Sequence, residues 1–184
     1  EKMHKAITIM QFKIEGQMIL SHPDFGMEDR LLLDKMDKEQ GCVTIDGVTY
    51  PMKDSNFPTL DPANPYELTA QEQEVIDQIQ QSFIHCEKLQ QHIQFMYSHG
   101  SLYKVYNGNL LYHGCIPLTK EGDFLPVQIF GKTYSGRALY DVLDTYARKG
   151  YYATDNREKI RGQAILWYLW ENPNSPVFGK EKMA

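Results

Sequence analysis

Two Asx-Gly dipeptides, Asp46-Gly47 and Asn107-Gly108, each stand between short runs of β-branched, aliphatic and aromatic residues. Cys42-Val43-Thr44-Ile45 and Val48-Thr49-Tyr50 flank the first; residues 102–106 and 109–112 flank the second. Both positions of such a pair tolerate positive φ, which a two-residue type I′ turn demands, so each site predicts a β-hairpin. Hairpins are local and antiparallel, whereas most of the remaining chain carries a helical period. The combination predicts an α+β chain: helices with β-hairpins.

The helical pattern is present from the first residues. Ile7, Met10, Ile14 and Met18 share one face, and the helix is expected to end near Ser21 because Pro23 disfavours helical geometry at His22. The chain opens on Glu1-Lys2-Met3 inside this amphipathic pattern, which reads as an excerpt from a longer protein. A short helical piece is expected over residues 31–36. Residues 51–65 carry Pro51, Pro58, Pro62 and Pro65 and read as an extended surface connector. Thr69 and Glu72 then form a capping box that starts the longest helix, expected to run to about His99 with Gly100 as its stop. Its apolar stripe is Val75, Ile79, Phe83, Cys86, Leu89, Ile93 and Met96, a spacing close to a heptad. Ser135 is expected to cap a helix over residues 137–149 that Gly150 stops. A last helix over residues 156–170 is closed by Asn172-Pro173, with Trp167, Tyr168 and Trp170 read as core.

Charge and cysteine content narrow the function. With 184 residues the chain is long enough for a sizeable core, and its net charge of −5 provides no basic field for nucleic acid or an acidic membrane. No apolar run approaches the roughly 20 residues that span a bilayer. Cys42, Cys86 and Cys115 are widely spaced and form no CxxC pair, so a reducing cytoplasm is the expected location.

Six histidines are the candidate metal ligands or bases: His4, His22, His85, His92, His99 and His113. His85 and His92 lie seven apart on one expected helix without a carboxylate to complete a set. His99 falls at a helix C-terminus, where an imidazole favours the helix dipole. His113 differs in context. It follows the return strand of the second hairpin, beside Gly114, and Cys115-Ile116-Pro117 forces a sharp exit. Strand-end loops on a rigid sheet often carry function, and glycine permits close backbone approach to an ion or phosphate. A hydrogen-bonded turn histidine fits the same pattern, and the residues alone leave both readings open. A Cys115/His113 nucleophile pair is disfavoured because neighbours on a strand point to opposite faces. Arg157, Lys159 and Arg161 present either a phosphate grip or a solvated face. There is no Walker loop, dinucleotide fingerprint or G-x-S-x-G elbow.

The segments KVYNG and NLLYHGCIPL (residues 104–118), FPTLDPANPYELTAQE (57–72), HCEK (85–88), HKAITIMQFKIEGQMI (4–19) and YLWENPNSPVFGKEKM (168–183) together resemble class III (Firmicutes-type) fructose-1,6-bisphosphatases of the calcineurin-like metallophosphoesterase superfamily. The resemblance is spread over nearly the whole chain and identifies it as an internal fragment of such an enzyme. It implies that residues 1–100 are a helical insertion and connector, and that residues 101–184 are part of a larger α/β metallophosphoesterase sandwich. It implies two divalent ions, expected to be manganese, and hydrolysis of fructose 1,6-bisphosphate to fructose 6-phosphate and phosphate in gluconeogenesis. It carries over one site residue, His113, as a metal ligand in the family's His-Gly element. The other metal motifs are missing: His22-Pro23-Asp24 reverses Asp-x-His, Gly122-Asp123 lacks the following Asp-Arg, and Gly108-Asn109 precedes Leu110 rather than histidine. The excerpt alone is therefore expected to be inactive.

Two other readings remain. The heptad-like stripe fits a non-catalytic interaction or homo-oligomerisation module, and the His-Gly element fits a related phosphoesterase acting on phosphoproteins or nucleotides.

Overall fold

A computed structural model of the chain describes residues 2–177. The described residues form five α-helices and seven short strands in three small antiparallel sheets, an α+β arrangement. They divide into two compact units, separated in sequence between Cys86 and Glu87. Part of the tail that carried the resemblance, residues 178–183, lies outside the described residues.

In the N-terminal unit, α1 (Lys2–Ser21) ends where Pro23 required. Its buried face is Ile9, Met10, Lys13, Gly16 and Ile19, not the face expected from Ile7, Met10, Ile14 and Met18. Ile7 and Ile14 are 49% and 36% exposed. Counting apolar residues missed the true line because a glycine and a lysine lie at its centre. The Tyr66 ring lies against Gly16, where a Cβ would overlap it. The buried Lys13 ammonium donates to Glu72 Oε2 and to the Thr59 carbonyl, both at 2.7 Å. The proline-rich connector is fixed within this unit: Lys5 donates to Asp54 at 2.6 Å, and Lys38 to the Phe57 and Leu60 carbonyls.

The first expected hairpin is β2 (Cys42–Ile45) and β3 (Val48–Pro51), with Val43 opposite Tyr50. Asp46 and Gly47 take φ of 51° and 78°, as the turn demanded. An unexpected short strand, β1 (Met36–Asp37), pairs with β2 and makes the sheet three-stranded. The helical piece expected at 31–36 is replaced by single 3₁₀ turns at Glu28–Arg30 and Leu33–Lys35.

The Thr69/Glu72 capping box is formed in both directions, at 3.2 and 2.9 Å, and starts α2 (Ala70–Ile84). The expected single long helix does not continue. It breaks at His85-Cys86, and α3 (Glu87–His99) starts in the C-terminal unit. Neither glycine nor proline marks the break. At the end of α2 the His85 N–H bonds back to Gln81, the His85 Nδ1 bonds the same carbonyl at 2.9 Å, and the Cys86 N–H tightens to Phe83. The stripe is not core either: Val75, Ile79, Phe83 and Met96 are 41%, 43%, 60% and 57% exposed.

The C-terminal unit is organised by α4 (Gly136–Tyr152) and α5 (Asn156–Glu171), which bury Leu139, Leu143, Ala164, Ile165 and Tyr168. Full burial of each large aliphatic or aromatic side chain contributes about 1.5–3 kcal/mol. Gly150 is not a helix stop. It lies inside α4 at its crossing with α5, where a Cβ would sit 2.7 Å from the Gly162 carbonyl carbon, and a Cβ on Gly162 would run into the Gly150 backbone. The two glycines thus let the helix backbones touch. Asp155 caps α5 by accepting from Glu158 N–H at 2.8 Å. Of the three expected core aromatics, Tyr168 is buried but Trp170 is 59% exposed. Arg148 of α4 bonds Asp144, the Tyr97 carbonyl and the Gly100 carbonyl, tying the end of α3 to α4.

The second expected hairpin is β4 (Tyr103–Tyr106) and β5 (Asn109–Tyr112), with Asn107 and Gly108 at φ of 50° and 75°. A third hairpin, β6 (Val127–Ile129) and β7 (Lys132–Tyr134), went unpredicted because its turn is Phe130-Gly131. Phe130 holds φ of 48°, a conformation bulky side chains seldom adopt. Its ring is fixed edge-on to Tyr146 at 5.0 Å and under Arg161 at 5.2 Å. Among the described residues no helix is long and apolar enough to cross a membrane.

Candidate functional site

Among the described residues the histidines do not gather with other donors into a metal-binding group. His22 stacks on Phe25, and its Nδ1 bonds the Met18 carbonyl at 3.2 Å. His85 and His92 lie on different segments rather than on one helix. His99 closes α3: its Nδ1 lies 3.2 Å from the Phe95 carbonyl and 2.8 Å from Ser98 Oγ, and its ring stacks on Phe95. That is the capping role expected for it.

His113 stands in the bend directly after β5 and is exposed. Among the described residues its imidazole takes no hydrogen bond or ring contact. The side chain is unconstrained, whereas the backbone that carries it is closely held. A Cβ on Gly114 would collide with the carbonyl oxygens of Pro176 and Val177, so two chain segments pass at van der Waals limit there. The expectation was that this glycine admits an ion or phosphate; the space it leaves is filled by the chain itself. The Cys115 N–H donates to the Pro176 carbonyl at 3.0 Å, and the Cys115 carbonyl accepts from Tyr140 Oη at 2.9 Å. The Cys115 thiol faces the Ser175 carbonyl at 3.9 Å rather than His113, so the two form no nucleophile pair.

Residues 172–177 contributed text to the resemblance but no pairing signal. Their link to Gly114 and Cys115, more than 55 positions away, is therefore the feature that sequence reading missed. The buried hydroxyl of Tyr140 was missed for the same reason. Burial, then the neighbouring Cys115 and Tyr112, raise the Tyr140 hydroxyl above the usual phenol range, so it stays a proton donor to the Cys115 carbonyl.

One face of β4–β5 and the start of α4 enclose an apolar cleft of about 210 Å³, lined by Tyr103, Leu110, Tyr112, Phe124 and Tyr140. At its rim the Arg137 guanidinium donates to Tyr103 Oη at 3.0 Å and lies 3.5 Å from Asp141. The Arg157/Lys159/Arg161 run forms no grip: Arg157 and Lys159 are exposed, and Arg161 covers Phe130.

Whether these residues fit a divalent metal rests on donor chemistry. An imidazole on a fixed backbone, with no competing bond among the described residues, fits as one ligand. Among the described residues no group of three His, Cys, Asp or Glu side chains gathers to hold an ion. A complete coordination shell would need donors beyond those described.

The whole chain, residues 1–184, matches the sequence profile described as Firmicute fructose-1,6-bisphosphatase. It is 54% identical over 184 residues to the class 3 fructose-1,6-bisphosphatase of Clostridium tetani (strain Massachusetts / E88), covering 99% of this chain. It is 51% identical over 185 residues to the class 3 fructose-1,6-bisphosphatase of Alkaliphilus metalliredigens (strain QYMF), and 50% over 182 residues to one from Clostridium beijerinckii. In each case 99% of the chain is aligned but only 28% of the relative, so the chain spans little more than a quarter of their length. No solved structure matches.

Proposed function

The chain belongs to the Firmicute fructose-1,6-bisphosphatase family, and we propose that it is a segment of a metal-dependent phosphatase that hydrolyses fructose 1,6-bisphosphate to fructose 6-phosphate and phosphate. The observation that carries this reading is the match over the entire chain, at half identity or better, to relatives named for that activity. The proposal extends to a calcineurin-like metallophosphoesterase site with manganese, to a role in gluconeogenesis and to the cytoplasm. Residues 1–100 would be its helical insertion and connector, and residues 101–184 a part of its catalytic sandwich.

His113 would hold one divalent ion through a neutral imidazole nitrogen. Bound divalent ions in such sites lower the pKa of a water and neutralise charge developing on the phosphoryl oxygens. The contribution of this chain is orientation. A ligand residue on a loop bonded nearby at Cys115 N–H and Cys115 C=O loses little backbone freedom on binding. With no group of three or more His, Cys, Asp or Glu side chains gathered among the described residues, this segment alone is not expected to turn over substrate.

The experiment is an assay of phosphate release from fructose 1,6-bisphosphate, with manganese, by the full-length protein and its His113→Ala variant. Robust turnover that falls by about 100-fold or more in a folded variant supports both parts of the reading. No turnover by the metal-loaded wild type overturns the sugar-phosphatase assignment and favours another phosphoester. Turnover that survives His113→Ala retains the family and makes His113 a turn residue.

A second role, self-association through the helical region, is supported by the exposed row Val75, Ile79 and Phe83 on α2. Ile79→Glu with Phe83→Glu should then dissociate a sedimenting oligomer of the full-length protein. A wild type that sediments as a monomer removes this role.

A further inference from the structure

His113 projects from a two-stranded hairpin with little cover. Val105, Leu110, Leu111 and Tyr112 are between 45% and 63% exposed. An isolated pair of strands is marginally stable in water and cannot by itself aim a side chain. The backbone from which the imidazole projects must therefore be placed where the chain leaves β5.

That exit is bonded through both backbone groups of one residue, Cys115. The Cys115 N–H is held by the Pro176 carbonyl and the Cys115 carbonyl by Tyr140, a residue only 4% exposed on α4. Gly114 lies against the Pro176 and Val177 carbonyls with no room for a methyl group. The segment that supplies these contacts is itself anchored. Asn172 and Ser175 are 1% and 0% exposed. Asn172 Oδ1 accepts from the Asn174 N–H at 2.8 Å, and the Asn172 carbonyl accepts from the Ser175 N–H at 2.9 Å. Ser175 Oγ donates to the Leu169 carbonyl at 2.8 Å in the last turn of α5 and accepts from the Val177 N–H at 3.2 Å. A continuous run of bonds therefore leads from α5 through Ser175 and Pro176 to Cys115, two residues after His113. Losing one partner of a buried bond leaves the other unsatisfied, so the run resists deformation.

We propose that residues 172–177, together with Tyr140, are the positioning element for His113, and that Gly114 is required because any side chain there would push the loop off this support. The proposal rests on the reading of His113 as a metal ligand and assigns that ligand's orientation to the turn after α5. These are positioning residues: none of them donates to an ion.

The test is a Mn²⁺ titration of the full-length protein, with free Mn²⁺ followed by electron paramagnetic resonance, alongside thermal unfolding of each variant. His113→Ala should weaken Mn²⁺ binding most. Gly114→Ala should weaken it toward 100-fold and Tyr140→Phe by about 10-fold, the range seen when groups orienting a ligand are removed. Tyr140→Phe keeps the ring and removes only the bond to Cys115, so it decides the matter if Gly114→Ala does not fold. Weaker Mn²⁺ binding by Tyr140→Phe at an almost unchanged unfolding midpoint supports positioning, because a merely structural role would move the midpoint and not the affinity. Wild-type Mn²⁺ affinity in both Gly114→Ala and Tyr140→Phe, with His113→Ala impaired, overturns the positioning role and leaves His113 a ligand. Unchanged affinity in His113→Ala overturns the ligand reading on which the proposal rests.

Discussion

The two units hold helices against irregular chain with opposite chemistry. In the N-terminal unit, α1 and α2 are joined by a buried charge pair, Lys13 and Glu72, and the same Glu72 oxygen that accepts from Lys13 also closes the capping box with Thr69. In the C-terminal unit, α4 and α5 touch through Gly150 and Gly162, and the supports of the His113 loop are neutral bonds between carbonyls, N–H groups and a tyrosine. The α1–α2 junction thus adds a buried charge pair to its apolar packing and should respond to protons. The α4–α5 junction is set by backbone contact, its Lys149–Glu158 ion pair being solvent-exposed, and should respond to volume. His113 sits in the C-terminal unit, so the orientation of its loop should be insensitive to protonation of carboxylates and sensitive to a single added methyl group.

The largest effect should come from the charged side of this contrast. Lys13→Ala leaves Glu72 buried and unpaired and should cost about 3–5 kcal/mol. Lys13→Met with Glu72→Gln should recover most of that, since the amide oxygen still accepts from Thr69. Chemical denaturation of the full-length protein, with hydrogen exchange read peptide by peptide, places the loss. Protection lost mainly in residues 87–177 would break the distinction between the units.

Next is Gly162→Ala, which forces a methyl group into the Gly150 backbone and should cost about 1–3 kcal/mol, lost from α4 and α5 peptides. No measurable change would mean that the helices separate without penalty and that shape does not hold this unit.

The pH response should differ in the same way. Burial pushes the Glu72 carboxyl up, but the bonds from Lys13, Thr59 and Thr69 outweigh it and hold the group below the usual carboxylate range. Its stabilisation is thus complete above the unfolded-state pKa, near 4.3, and is lost as pH falls through the lower folded value. Protection of α1 and α2 peptides should decline through this acid range, and Glu72→Gln should flatten the decline. An equal decline in both proteins would assign the acid response to other groups.

The smallest effects sharpen the comparison at the two hairpins. Gly47 and Gly108 hold φ of 78° and 75° with nothing within 4 Å of an added Cβ. Alanine at either should cost about 1 kcal/mol, from backbone conformation alone. A much larger cost at Gly108 would show that β4–β5 is covered in the full-length protein where β2–β3 is not.

The parts of this fold legible in sequence are those set by local chemistry. Asp46-Gly47 and Asn107-Gly108 announced their turns, Thr69 and Glu72 their helix start, and Pro23 the end of α1. The parts that went unread depend on distant partners. Lys13 looks solvated until Glu72 is placed beside it. Gly150 looks like a helix stop until Gly162 lies against it, and Phe130 is a poor turn residue until Tyr146 and Arg161 hold its ring. The break at His85-Cys86 carries no glycine or proline to mark it. The candidate site divides likewise: His113 stood out through its place after a strand and its resemblance to a known element, whereas its supports at Tyr140, Ser175 and Pro176 follow only from tertiary structure.

The central claim is that His113 ligates a divalent ion from a loop fixed by the turn after α5. It is tested most directly by an anomalous-scattering crystal structure of the full-length protein grown with Mn²⁺. The account predicts a manganese peak within about 2.0–2.3 Å of a His113 ring nitrogen, with Gly114 and Cys115 still seated on Pro176 and Val177. A manganese site fully coordinated by other residues, with His113 turned away from it, would contradict the account.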